Sequence, residues 1–290
     1  MSPSRTRAAG VLSQTAKVLL GVALACGSAS AQTIAAGGRP PASSSSRPFE
    51  ILDNSFLVEE AFNQESGIFQ NIFSMMRVGH EWEAVFTQEW PLGSQSHQLS
   101  YSLPVSGSRG GSSGLGDVMI HYRFQALREE GGRPAFSPRA SLILPTGSAA
   151  EGLGAGVAGL QINLPVSRQF NDWYLHGNGG FTWQPGVRSA ARDEKVPLTS
   201  PHLGASAIYR LRPMLNLMLE TTILWEESVG AIGATNRARI VTLSPGVRRG
   251  WNLADRQVVL GLAIPTTVVD GATDTGLFVY ASYELPFHRR

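Results

Sequence analysis

Cysteine is nearly absent from this chain: Cys26 is its only one, and it lies among the first 31 residues. Disulfides therefore cannot hold the remainder together, even in an oxidising compartment where they are common supports. Long apolar runs are missing as well. Beyond the N-terminus no stretch reaches about 18 apolar residues, which excludes a membrane protein built of helices. Charge is sparse, at 16% of 290 residues, below the roughly 25% of soluble domains. A basic surplus is absent too, because residues 1–31 hold three of the 24 Lys and Arg and none of the 22 Asp and Glu. A nucleic-acid partner, which needs a basic patch to neutralise phosphates, is excluded.

The N-terminus is a distinct object. Arg5, Arg7 and Lys17 precede the apolar run Val18 to Ala25, and Ala29-Ser30-Ala31 is a small-residue cleavage site. This predicts a signal peptide over 1–31, cleaved after Ala31. Leu24 stands one place too close to Cys26 for the usual lipoprotein pattern. Residues 32–50 are rich in Gly, Pro and Ser and read as a linker. Residues 51–65 have the one plausible helical spacing, with Leu57, Ala61 and Gln64 on one side and Phe56, Glu60 and Asn63 on another.

From residue 66 to 290 the period is two. In "LNLMLETTILWEE" (Leu215 to Glu227), Leu215, Leu217, Leu219, Ile223 and Trp225 share one face and Asn216, Glu220 and Glu226 the other. Twelve such segments lie near 66–77, 81–90, 97–106, 115–127, 134–146, 157–168, 173–184, 201–211, 215–227, 238–249, 257–266 and 275–287. The first, "GIFQNIFSMMRV", alternates weakly. Each is about ten residues or more, enough to cross a bilayer when tilted. Long connections (107–114, 147–156, 185–200, 228–237, 267–274) alternate with short ones (91–96, 128–133, 169–172, 212–214, 250–256). The expected fold is all-β, a transmembrane antiparallel up-and-down barrel of about twelve strands, with short periplasmic turns and longer outer loops.

The tryptophans favour lipid over a protein core as the partner of the apolar faces. Trp82, Trp90, Trp173, Trp183 and Trp225 fall toward strand ends, and Trp251 is expected in a short turn. Trp173 and Trp183 share a face, and ten tilted residues span roughly 25 Å, the distance between aromatic girdles. The opposite faces carry Arg123, Arg139, Arg210, Arg239 and Arg248 with Glu83, Glu89, Asp117, Glu220, Glu226 and Glu284. Such a mixture suits a hydrated lumen better than a dry core. Phe287 sits on the apolar face of the final strand, near the chain end, where outer-membrane barrels carry a signal for their assembly machinery.

"NSFLVEEAFNQE" (Asn54 to Glu65), "GLGDVMIHYRF" (Gly114 to Phe124), "SPRASLILPTG" (Ser137 to Gly147) and "LQINLPVS" (Leu160 to Ser167) resemble the outer-membrane family named for the meta-pathway of phenol degradation. The resemblance implies a bacterial outer-membrane barrel that passes hydrophobic or aromatic compounds, with no family site residues to carry over.

The expected partners are the lipid bilayer, the assembly machinery through the last strand, and a small-molecule solute. The expected lumenal set is His121, Arg123, Arg139, Gln161, Asn163, His176, Asn178, Glu220 and Tyr280. Two readings of it stand, a balanced network that stiffens the wall or a constriction that selects what passes. Residues 51–65 carry Asp53, Glu59, Glu60 and Glu65 and no basic residue. They are expected to plug or gate the periplasmic mouth by pairing with Arg123, Arg139, Arg210 and Arg248, the alternative being a plain tether. No catalytic, metal or cofactor residues are expected: the histidines follow no ligand spacing, and "GLGAG" (Gly152 to Gly156) opens no helix. The function expected is a pore or passive transporter. The alternatives are a lipid-modifying acyl hydrolase and a structural barrel with a blocked lumen.

Overall fold

The computed structural model describes residues 51, 53, 55–188, 194–230, 235–253 and 256–287. The expected signal peptide and linker lie outside the described residues. Alternating sequence gives twelve antiparallel strands. They are β1 (Ile68–Val78), β2 (Glu81–Leu92), β3 (Ser94–Ser108), β4 (Ser113–Leu115 with Val118–Phe124), β5 (Ala135–Phe136 with Arg139–Leu144) and β6 (Gly159–Asn163 with Val166–Phe170). There follow β7 (Trp173–Arg188), β8 (Lys195–Arg212), β9 (Leu215–Val229), β10 (Thr235–Leu253), β11 (Arg256–Ala263 with Thr266–Val269) and β12 (Ala272–Pro286). Each strand pairs with its sequence neighbours, and β1 pairs with β12 from Ile68↔Pro286 to Val78↔Gly276, so the sheet closes and leaves no edge.

Three strands break at proline, which has no N–H to give the ladder. The interruptions at Pro138, Pro165 and Pro265 are bridged by Ser137 N to Pro165 O (3.2 Å), Ile264 N to Pro245 O (2.9 Å) and Gly276 N to Pro265 O (2.8 Å). The wall therefore stays hydrogen-bonded through its kinks.

The barrel is apolar outside and polar inside. On β9, Leu219 is 50% exposed while Glu220 beside it is 1% exposed. An outer surface of Leu, Phe and Trp wrapped around buried Arg, Glu and Gln suits lipid as the surrounding solvent. The weak alternation of β1 has its cause here. Its inward Ile72 and Met76 join an apolar cluster with Phe56 and Leu57 of the preceding segment, so β1 is apolar on both faces.

Several expectations need correction. Arg239 points outward, with Ile240 turned inward. Trp251 lies within β10, where Arg249 stacks over its ring at 5.4 Å. The long loop expected at 267–274 is a two-residue turn, Asp270-Gly271, with φ of 47° and 88°, the left-handed pair that joins tight hairpins. Strand pairing continues past the apolar band, where polar residues on both faces hide the strand from a hydropathy reading.

Candidate lumenal site

The described residues of 51–65 form no helix. They run as bends and extended chain inside the barrel, in the half of the lumen nearer the short turns. A segment outside any helix or strand brings amides and carbonyls into a dry space, and each must find a partner. The wall supplies them. Glu220 accepts from the amides of Phe56 (3.1 Å), Leu57 (3.1 Å) and Val58 (3.2 Å). Ser167 Oγ accepts from Ala61 N at 2.7 Å, and Gln125 Nε2 donates to Ala61 O at 2.7 Å. Gln98 and Gln125 accept from the amides of Gln64 (2.6 Å) and Asn63 (3.0 Å), and Asn178 donates to Glu59 O at 2.7 Å.

The carboxylates of the segment meet guanidinium groups. Glu59 pairs with Arg123 at 3.3 Å and Arg139 at 3.0 Å, and accepts from Asn163. Glu60 lies 3.6 Å from His176 and 3.9 Å from Arg248. Asp53 accepts from Gln70 (2.8 Å), Tyr280 (2.7 Å) and Ser282, while Arg248 donates to its carbonyl. Arg123 also reaches Asn63 Oδ1 at 2.8 Å and the carbonyls of Glu60 and Phe62. Bonds of this charge-assisted kind are the strong ones in a dry setting.

Opposite this polar side the contact is apolar. Phe56 packs against Phe278 and Tyr280 with ring centroids at 5.2 and 5.3 Å. Its ring occupies a notch in the wall at Gly246 and Gly261. A Cβ at Gly246 would lie 3.0 Å from the ring, and one at Gly261 would run into it. Val58 sits likewise over Gly204. Glycine is required at Gly261 and gives the tightest fit at Gly246 and Gly204, because the segment approaches the wall backbone directly. Segment residues Glu59, Ala61, Asn63 and Gln64 are fully buried, and the wall facing them is buried too, so water has little access between the two.

Of the lumenal residues named from sequence, Arg123, Arg139, Asn163, His176, Asn178, Glu220 and Tyr280 touch the segment. His121 and Gln161 stand behind Arg139, at 2.8 Å from its two terminal nitrogens. Arg210 does not take part as expected: it pairs with Asp172 at 3.1 Å, next to the short turn before β7. Glu65 also departs from expectation. It is half-buried, has no ion pair with an arginine among the described residues, faces the carboxylate of Glu284, and burial raises its pKa above the ordinary carboxylate value. Gln98, Gln125, Ser167, Ser282 and the glycine notches were not signalled by sequence, because polar inward residues recur on every strand.

The tryptophans lie at two levels. Trp90 and Trp173 are near the short-turn end, where they pack on Tyr101 at 5.4 Å and Tyr209 at 4.9 Å. Trp82, Trp183 and Trp225 lie toward the other end. Trp173, Trp183 and Trp225 are exposed, while Trp82 and Trp90 are half-covered by neighbours. Phe287 is exposed and packs on Phe69 with centroids at 5.5 Å.

Ser167 Oγ, His176 Nδ1 (2.8 Å) and Glu60 form a serine-histidine-acid series, and in this conformation Ser167 is fully buried beneath the segment. Among the described residues no group of His, Cys, Asp and Glu could hold a metal ion.

Among solved structures, the chain is similar to an outer membrane channel from Pseudomonas putida F1, with 13% identity over 76% of this chain and 95% of that one and a TM-score of 0.60. It is more loosely similar to the NanC porin (7% identity, 75% and 100% covered, TM-score 0.49) and the KdgM porin (8%, 76% and 99%, 0.48). The likeness to the Pseudomonas putida channel concerns the fold. No curated protein matches the chain. Residues 47–248, more than half of the chain and including the lumenal segment with most of its wall, match the family described as "Putative MetA-pathway of phenol degradation", and the protein belongs to that family.

Proposed function

We propose that the protein is a passive outer-membrane pore for small hydrophobic or aromatic solutes, closed in this conformation by residues 51–65. The observation that carries the reading is the attachment of that segment. Among the described residues it has no ladder with the wall, and wall side chains supply hydrogen-bond partners to it, so it can shift without breaking the barrel. The lumen it closes has an apolar side (Ile72, Val259, Phe278) and a polar side (His121, Arg139, Gln161), which suits a solute with an apolar body and a polar group. Under the same proposal residues 1–31 direct export and are cleaved after Ala31, residues 32–50 are a linker, and the five tryptophans form two membrane girdles. The last strand addresses the assembly machinery.

Single-channel recording and liposome swelling on the purified barrel test the reading. Conductance that rises when residues 51–64 are deleted supports it. A deletion variant that folds and passes neither ions nor solute makes the barrel purely structural. Acyl hydrolysis without conductance makes it an enzyme.

A further inference from the structure

Tyr280 is touched twice by the lumenal segment. Its ring packs on Phe56 with centroids at 5.3 Å, and its hydroxyl donates to Asp53 Oδ1 at 2.7 Å. The segment thus offers the wall an aromatic ring and a carboxylate, one at each end of a single tyrosine. The wall is shaped for both. Gly246 and Gly261 leave room for the ring, and Gln70 Nε2, Tyr280 OH and Ser282 Oγ all donate to the carboxylate, with Arg248 beside them.

Release of the segment would leave three donors, with the Arg248 guanidinium beside them, facing the opened lumen next to an aryl-sized notch. Three donors converging on one point, with a guanidinium beside them, favour a ligand whose carboxylate meets them all by charge-assisted bonds. The chemistry complementary to this wall is a flat ring bearing a carboxylate. Acetate would leave the notch empty, and a bare hydrocarbon would leave the donors unsatisfied.

We infer that the wall around Tyr280 is a binding site for aryl carboxylates, and that Asp53 and Phe56 occupy it as an internal stand-in for the solute. Solute and segment then compete for one site, and arrival of solute releases the segment. This rests on the pore reading for its purpose, but not for its test.

The test uses the full-length barrel in detergent with Cys26→Ser and Ser55→Cys, which leaves one thiol, since Ser55 is fully buried between Asp53 and Phe56. The rate of labelling by a charged maleimide is measured with benzoate, acetate or toluene, each at millimolar concentration. Benzoate is expected to raise the rate at least fivefold, and acetate and toluene to leave it unchanged. A rate indifferent to benzoate, or raised equally by acetate, overturns the inference. Calorimetry provides a second reading: benzoate should bind the Asp53→Ala/Phe56→Ala barrel at least tenfold tighter than the wild type, and equal affinity overturns the competition. If that variant does not fold, the Ser55→Cys labelling decides alone. Conductance is recorded separately. A silent barrel that answers to benzoate refutes the pore and keeps the site, while a conducting barrel deaf to benzoate refutes the site and keeps the pore.

Discussion

Glu59 Oε1 lies 3.3 Å from Arg123 Nη1, and both side chains are sealed from solvent, one on the lumenal segment and the other on β4. Burying the two charges is costly, and their attraction offsets that cost only while both are present. Removing one strands the other. Glu59 bridges two arginines, because Arg139 approaches its second oxygen at 3.0 Å.

Glu59→Gln keeps the shape of the side chain and removes its charge. Loss of one partner of a buried pair typically costs about 3 to 5 kcal/mol. Here the cost falls on the seated state of the segment, so open-channel probability should rise at least tenfold in single-channel records. The barrel itself should still migrate as a folded species on gels of unheated samples. Unchanged open probability in a folded variant means that the pair does not hold the segment.

The glycine notch predicts a size-dependent effect. Gly261→Val places methyl groups where the Phe56 ring now sits, so the ring must leave and the segment should loosen. Combining it with Phe56→Ala should restore much of the closure, because the smaller side chain vacates the contested volume. Additive effects of the two substitutions in open probability would show that the ring and the notch do not interact.

Glu65 gives a pH dependence with a definite sign. Burial raises its pKa from the ordinary 4.5, so the seated segment binds its proton more tightly than a released one. Its contribution is most favourable below pH 4.5 and is lost as pH rises through the raised value. The group is half-buried, so the effect is small. Labelling of a buried Ser55→Cys, divided by that of a free thiol at the same pH, should quicken modestly over that rise, and Glu65→Gln should flatten this ratio. An opposite slope would mean that other carboxylates dominate.

The outer face has its own test. Leu219 is half exposed on β9, toward lipid, while its neighbour Glu220 holds the segment. Leu219→Arg should destabilise the folded barrel in bilayers by about 2 to 4 kcal/mol, as expected for a charge near mid-membrane. A cost below about 1 kcal/mol would place this residue near an interface.

Phe287 packs on Phe69 of β1, and its amide donates to Gly67 O at 2.8 Å, closing the seam between the last strand and the first. Phe287→Ala should lower the yield of assembled barrel in the outer membrane severalfold while leaving refolding in detergent nearly unaffected. Equal losses in both settings would make the ring a packing contact only.

Twelve crossings and an exterior facing lipid were legible in the sequence because alternation is local. Each residue's face follows from its neighbours two places away, and a barrel in lipid needs every strand to repeat the same pattern. Reading failed where that rule is relaxed. β1 carries Ile72 and Met76 inward because Phe56 and Leu57 lie against that side. β10 and β11 run beyond the apolar band, where neither face needs to be apolar.

The course of residues 51–65 was decided by the tertiary structure alone. Their spacing suits a helix, but a helix would satisfy its own backbone and leave the donors and acceptors of the wall unmatched. The closed barrel brings Glu220, 164 residues away, under the amide of Phe56. It also assigns Arg123 and Arg139 to Glu59 and leaves Arg210 to Asp172, although all three arginines alternate alike along the chain. Charge complementarity between segment and wall could be counted from composition. Which charge meets which depends on height and direction inside the barrel, and only closure of the sheet sets those.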